Sequence, residues 1–138
     1  MTDLTKTETK LIYACSGAAD VGAIADQVAR HLRAEGFAKM TCLAGIGAEL
    51  HAYVQSAKDS DVNIAIDGCA VACAKKTIEK IGVTPTSYIL TDMGLVKGET
   101  PVTEKIIVQM SEKIKSMNGA PVPLIQMATG GCSCGGKC

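Results

Sequence analysis

Cysteine is the residue type in this sequence that most directly suggests chemistry. The chain has seven cysteines among 138 residues. Four lie in the body of the chain, at Cys15, Cys42, Cys69 and Cys73. The other three lie in its last ten residues, at Cys132, Cys134 and Cys138. An odd number of thiols, with no signal peptide before them, favours metal binding or redox chemistry over a secreted disulfide framework.

The cysteines of the body follow a regular spacing. Cys15 to Cys42 and Cys42 to Cys69 are both intervals of 27 residues, the length of one strand–helix unit. Each of the three thiols comes at or just after the end of an apolar run that indicates a strand. In an open α/β sheet, ligands bind outside the carboxyl ends of the strands. The spacing therefore predicts three thiols at one edge of a sheet, with Cys73 beside Cys69 on one face of a helix.

Alternating strands and helices must position these thiols. Short apolar runs predict strands at residues 11–14, 37–42, 62–66 and 88–90. Helical spacing predicts helices from Asp20, as the capping residue, to Gly36, and at residues 48–57, 70–80 and 103–117. Gly45 and Gly47 are expected to form the turn before the second helix. This pattern predicts a doubly wound, mostly parallel four-stranded sheet of order 2-1-3-4 with helices on both faces.

The length of the chain predicts a single domain. We expect a disordered tail at residues 1–9, one α/β metal-binding domain at residues 10–127, and a flexible Cys- and Gly-rich tail at residues 128–138. A short extra strand is possible at residues 122–125.

Composition excludes several classes of protein. Lys and Arg (14) balance Asp and Glu (14), and there is no Trp and a single Phe. A nucleic-acid partner would need a basic face or stacking aromatics. No apolar run approaches the ~18 residues of a membrane span, so no membrane partner is expected. Because the N-terminus is polar, without the apolar core of a signal peptide, we expect a cytoplasmic protein.

Four thiolates near one point form the tetrahedral shell that zinc prefers. Such a shell has no open position, so we predict a metal-binding protein without catalytic residues rather than an enzyme. Lys75 and Lys76 are candidates to offset the charge of the thiolates. Asp67 is a candidate helix cap or a hydrogen-bond acceptor behind the ligands. The three thiols of the C-terminal tail predict a second, weaker site for soft metal ions.

Three motifs resemble those of the DGC domain family. They are Tyr-Ala-Cys-Ser-Gly (13–17), Cys-Leu-Ala-Gly-Ile-Gly (42–47) and Ile-Asp-Gly-Cys-Ala-Val-Ala-Cys-Ala-Lys-Lys-Thr (66–77). The third contains the Asp-Gly-Cys sequence for which the family is named. The resemblance spans roughly residues 11–115 and implies zinc held by Cys15, Cys42, Cys69 and Cys73. It implies a ligand rather than a reaction, and the C-terminal tail lies outside it.

Two other functions remain open for the same thiols. A thiol-redox or sulfur-handling enzyme would use Cys69 as the reactive thiolate, with Cys73 or Cys15 resolving it. An iron–sulfur cluster could also use all four thiolates of the body. A phosphatase nucleophile at Cys15 is rejected, because it needs an arginine clamp close by and position 21 is Val. Gly45-Ile46-Gly47 lacks the remaining residues of a phosphate-binding loop.

Overall fold

The computed structural model describes residues 8–118 of the chain. This part of the chain contains four β-strands and five α-helices. The strands are β1 (Lys10–Ala14), β2 (Lys39–Met40), β3 (Val62–Asp67) and β4 (Thr86–Ile89). The helices are α1 (Asp20–Ala34), α2 (Leu43–Gly47), α3 (His51–Asp59), α4 (Cys73–Lys80) and α5 (Glu104–Met117). A 3-10 turn, Leu90–Met93, follows β4.

The strands form one parallel sheet of order β2-β1-β3-β4. The two central strands are paired over five residues, with Ile12 opposite Ile64. Both are buried along nearly their whole length, as expected of parallel strands covered on both faces. The predicted fold class and the predicted strand order are confirmed.

Alternate residues of the central strands face opposite sides of the sheet. One side, which includes Ile12 and Ile64, packs against α1 and α5. The other side, which includes Tyr13 and Ala65, packs against residues of α2, α3 and α4. Helices therefore cover both faces, and the carboxyl ends of the strands stay free to carry a site.

The predicted second helix, residues 48–57, is wrong in its bounds. The helix in this region is α3, which begins at His51 and ends at Asp59, and the separate short helix α2 ends before it at Gly47. Glu49, whose φ is 56°, lies between the two helices. A left-handed residue cannot continue a right-handed helix. Gly45, which we expected in a turn, lies within α2. It allows close packing there, because a Cβ at this position would lie 2.6 Å from the ring of Tyr53.

Three other element boundaries differ from those predicted. Strand β2 is only two residues long, against the six expected, and β4 begins at Thr86 and ends before Leu90. Asp20 is the first residue of α1 rather than its cap, which is Ala19. The predicted end of this helix is confirmed, since Gly36 follows it with a φ of +79°, the conformation typical of a C-terminal glycine.

The carboxylate of Asp20 anchors the loop at residues 94–100 and also accepts a hydrogen bond from the backbone N–H of Val21 (2.7 Å) in the first turn of α1. Its two oxygens accept hydrogen bonds from the backbone N–H groups of Gly98 (2.9 Å) and Thr100 (3.0 Å). These hydrogen bonds hold the pKa of Asp20 below its ordinary value of 3.8, and the bond from Gly98 has the largest effect. Such a carboxylate stabilises the fold when it is ionised.

We expect Asp20→Asn to lower the free energy of unfolding at pH 7, with a loss that shrinks in acid. Because the folded pKa is depressed, the contribution of Asp20 is present above pH 3.8 and disappears as pH falls through the folded pKa. Denaturant unfolding of both proteins at pH 7 and at pH 3 measures the difference. A difference that is the same at the two pH values would show that the charge of Asp20 does not hold the loop.

Several predictions fall outside residues 8–118. They are the N-terminal tail apart from its last two residues, the extra strand at residues 122–125, and the C-terminal tail with Cys132, Cys134 and Cys138. Among the described residues, none of the helices is long and apolar enough to cross a membrane.

Candidate functional site

Three of the four cysteines of the body follow strands that end at the same edge of the sheet. Cys15 comes directly after β1, Cys42 comes two residues after β2, and Cys69 comes two residues after β3. Because these strands are parallel neighbours, the carboxyl ends that carry the thiols lie side by side. Each interval of 27 residues thus corresponds to one strand–helix unit, as the spacing predicted. The first leads from β1 to its neighbour β2, and the second leads from β2 past β1 to β3.

Cys69 and Cys73 do not share a helix. Helix α4 begins at Cys73, and a turn precedes it in which Ala72 has φ 57° and ψ 49°. That left-handed conformation interrupts the helix that we predicted over residues 70–80. The prediction that both thiols lie on one helical face is therefore wrong. The positive end of the helix dipole lies at Cys73 rather than at Cys69.

Asp67, the last residue of β3, holds the start of α4. Its carboxylate accepts hydrogen bonds from the backbone N–H groups of Ala74 (2.7 Å) and Lys75 (3.0 Å), two of the donors that a helix N-terminus leaves free. The side chain is almost fully buried, and this burial raises the pKa of Asp67 despite the two hydrogen bonds. Ala72, and not Asp67, stands at the N-cap position of α4, but the carboxylate of Asp67 does accept from the first turn of this helix, as a capping side chain would. Asp67 ends β3 and also binds the N-terminus of α4. It therefore holds both ends of the short segment between β3 and α4, which carries Cys69 and leads into Cys73.

Cys15 lies next to this segment. Its Sγ accepts a hydrogen bond from the backbone N–H of Gly68 at 3.4 Å, and Gly68 is the residue before Cys69. Ser16, which follows Cys15, has a φ of 50°. Left-handed residues thus adjoin two of the four cysteines, Ser16 at Cys15 and Ala72 at Cys73. Such conformations cost about 1 kcal/mol or more and cluster at functional sites.

Lys97 contacts Cys69 and was not predicted to belong to the site. Its Nζ lies 3.6 Å from the Sγ of Cys69, and the loop that carries it is the one tied down by Asp20. The sequence suggested Lys75 and Lys76 as the cations of the site. Lys75 lies 4.0 Å from Glu79 on its own helix. The glycines at 94 and 98, both with positive φ, are the sequence signal for the tight loop that brings Lys97 to the edge.

Thiolates match soft metal ions in donor chemistry, but the thiols do not yet form a coordination shell. Within residues 8–118, no three Cys, His, Asp or Glu side chains are grouped so that they could hold one metal ion. Cys42 and Cys73 are exposed, and Cys15 and Cys69 are partly buried. A shell of four would require the side chains, and the loop segments beside them, to draw together.

A cavity of about 850 Å³ opens beside Cys15 and Cys42. Arg30 and Arg33 of α1 also line it, together with Tyr53 and Thr77. Sequence reasoning missed these arginines because they lie far along the chain from Cys15. Their spacing of three residues, which places both on one helical face, is the signal that could have found them.

Comparison with known proteins shows to which family this chain belongs. The family model of the DGC domain matches residues 11–114, a range that contains the four cysteines of the body and excludes those of the tail. The chain belongs to the DGC domain family. The resemblance seen in the three motifs is thereby confirmed.

One curated relative of this DGC chain is the "Anaerobic and virulence modulator AnvM" of Pseudomonas aeruginosa. The two are 35% identical over 88 residues, which cover 63% of this chain and 67% of the relative. No solved structure matches the chain.

Proposed function

We propose that this DGC chain binds zinc through the thiolates of Cys15, Cys42, Cys69 and Cys73, and that it sequesters, senses or transfers the metal rather than using it for catalysis. The observation that supports this most strongly is the position of the thiols. Three of them follow neighbouring parallel strands at one edge, and the fourth begins the helix after the third strand. Cysteines that only filled the core would have no reason to gather at that edge.

The chain does not need zinc to complete its core. The sheet is covered on both faces by apolar side chains, and the largest of them are fully buried. A metal that is not required for folding can be bound and released, since its affinity is not tied to global stability. Four thiolates would also close the shell, leaving no position for a substrate. Both points favour metal handling, and a modulating role agrees with the name of the relative.

Three of this chain's side chains would support the metal. Asp67 holds the start of α4 and with it the position of Cys73. Four thiolates around Zn²⁺ carry two negative charges in excess, and the contact with Cys69 makes Lys97 a compensating cation. Asp20 keeps the loop of Lys97 in place.

We propose that the C-terminal cysteines, Cys132, Cys134 and Cys138, bind soft metal ions more weakly than the main site. Three thiols leave a tetrahedral shell incomplete. Four glycines lie among these cysteines, and fixing a residue in one backbone conformation costs roughly 1–2 kcal/mol, more for glycine than for other residues. A weaker site on the same chain could supply metal to the main one or take it away.

Proton release on zinc binding tests this function. Thiols must lose their protons to become ligands, so we expect titration of the reduced protein with zinc to release protons and the affinity to fall as pH drops toward 5. Calorimetry in two buffers of different ionisation enthalpy measures the number released. Zinc binding without proton release would contradict thiolate ligation.

A thiol-redox function is the second candidate, because Lys97 contacts the Sγ of Cys69 and Cys15 binds the backbone of the residue before Cys69. In that case Cys69 and Cys15 would form a disulfide, and their two electrons and two protons would reduce the disulfide of a small thiol. Reduced protein that binds no metal but consumes such a disulfide, with Cys69 and Cys15 becoming linked, would favour this function over zinc. Brown colour in the purified protein would instead indicate an iron–sulfur cluster.

A further inference from the structure

We propose that the cavity beside Cys15 and Cys42 binds a small organic carboxylate. Its volume of about 850 Å³ is in the range of small-molecule sites, ≈ 300–1,000 Å³. Its walls come from β1, α1, β2 with the residues after it, α2, α3 and α4, so the cavity is formed by elements from much of the folded domain. The proposal does not depend on whether the thiols bind zinc.

The charge of the cavity favours an anion. It contains Arg30, Arg33 and a single carboxylate, Asp26. Arg30 donates from Nε to Asp26 at 2.8 Å, which orients its guanidinium. Ser16 donates to the other oxygen of the same carboxylate at 2.9 Å. Asp26 is thus a positioning residue whose charge is already matched.

Arg33 carries the positive charge of the cavity that Asp26 does not balance. Among residues 8–118, no carboxylate lies within 4.0 Å of it. Its planar guanidinium can bind a carboxylate through two parallel hydrogen bonds. It lies one turn along α1 from Arg30, so both guanidinium groups can contact the same anion.

The cavity also contains two thiols. Cys15 and Cys42 line it together with the arginines, so a small molecule whose carboxylate is held by the arginines would share the cavity with both sulfurs. Hydroxyl groups at Thr41 and Tyr53 add further hydrogen-bonding positions, whereas the hydroxyl of Thr77 already donates to the carbonyl oxygen of Cys73 at 2.7 Å. The lining therefore favours a small molecule that has at least one carboxylate for the arginines and fits in the cavity beside the thiols.

Two alkylating reagents that differ only in charge test this site. Iodoacetate carries a carboxylate and iodoacetamide is neutral, and in both reactions a thiolate forms an S–C bond while iodide leaves. The ratio of the two rates at one cysteine and one pH does not depend on how much of that cysteine is ionised. Mass spectrometry of full-length, reduced, chelator-treated protein gives this ratio separately for Cys15 and Cys42.

We expect the ratio of iodoacetate to iodoacetamide rates at Cys42 to fall by up to about fivefold in the double variant Arg30→Gln, Arg33→Gln. The matched control is Lys58→Gln, Lys105→Gln, which removes two exposed charges outside the cavity; its ratio should match wild type. An equal fall in both variants, or no fall in either, would overturn the proposal. Circular dichroism verifies that each variant is folded.

Protection by unreactive anions is the second measurement. Succinate should slow the reaction of iodoacetamide at Cys15 and Cys42 in wild-type protein, and neutral succinamide should not. The protection should be lost in the arginine double variant. If inorganic phosphate protects and succinate does not, the carboxylate assignment is wrong.

Discussion

Replacing Cys73 by serine is expected to lower the affinity of the main site for zinc by about 100-fold or more. A serine hydroxyl stays protonated at neutral pH and is a hard ligand, whereas zinc in this site would be held by soft thiolates. Cys73 is also the exposed first residue of α4, so the substitution should leave the fold intact. Competition with a chromophoric chelator measures the affinity.

The matched control is Cys134→Ser, which removes a thiol of the tail and none of the four. It should leave the tightest zinc site unchanged. If Cys73→Ser binds zinc as tightly as Cys134→Ser does, Cys73 is not a ligand and the proposed shell is wrong.

Gly68→Ala is expected to lower the free energy of unfolding by about 3 kcal/mol or more. A Cβ at this position would lie 2.6 Å from backbone atoms of Val21 and 2.7 Å from the backbone nitrogen of Gly22. Backbone at such distances cannot rotate away, so α1 would have to move off the end of β3. The same movement would break the hydrogen bond between Gly68 and Cys15 and disturb the site.

Gly17→Ala is the control for this prediction. Gly17 is exposed and no atom lies within 4 Å of the position its Cβ would take, so the substitution should leave stability nearly unchanged. Urea unfolding gives both values. A cost for Gly68→Ala no larger than that for Gly17→Ala would show that the close approach of α1 to β3 is not required.

The strand order of the sheet was predictable because it follows from a local pattern, a strand followed by a helix, that repeats along the chain. Each buried strand is a short apolar run, and the right-handed crossover rule leaves few ways to connect parallel strands. The ends of the elements were less predictable. Glu49 and Ala72 adopt left-handed conformations, although neither residue type favours them. The separation of α2 from α3 and the late start of α4 could therefore not be predicted from the residue types.

The position of Cys15, Cys42 and Cys69 at the carboxyl ends of the strands was also predictable, from the interval of 27 residues between these thiols. The surroundings of the thiols were not. Lys97 reaches Cys69 from 28 residues away, and Arg30 and Arg33 reach the cavity of Cys15 from the far end of α1. These neighbours depend on how α1 and the loop after β4 pack over the sheet, which periodicity alone does not determine.

The metal content of the chain shortened before Thr129, purified without added metal, tests the central claim most directly. This chain keeps Cys15, Cys42, Cys69 and Cys73 and lacks the three thiols of the tail. We predict one zinc per chain by elemental analysis, no visible absorption, and loss of that zinc in the Cys73→Ser variant. A shortened chain that folds but holds no zinc, even after titration with it, would contradict the proposed four-thiolate site.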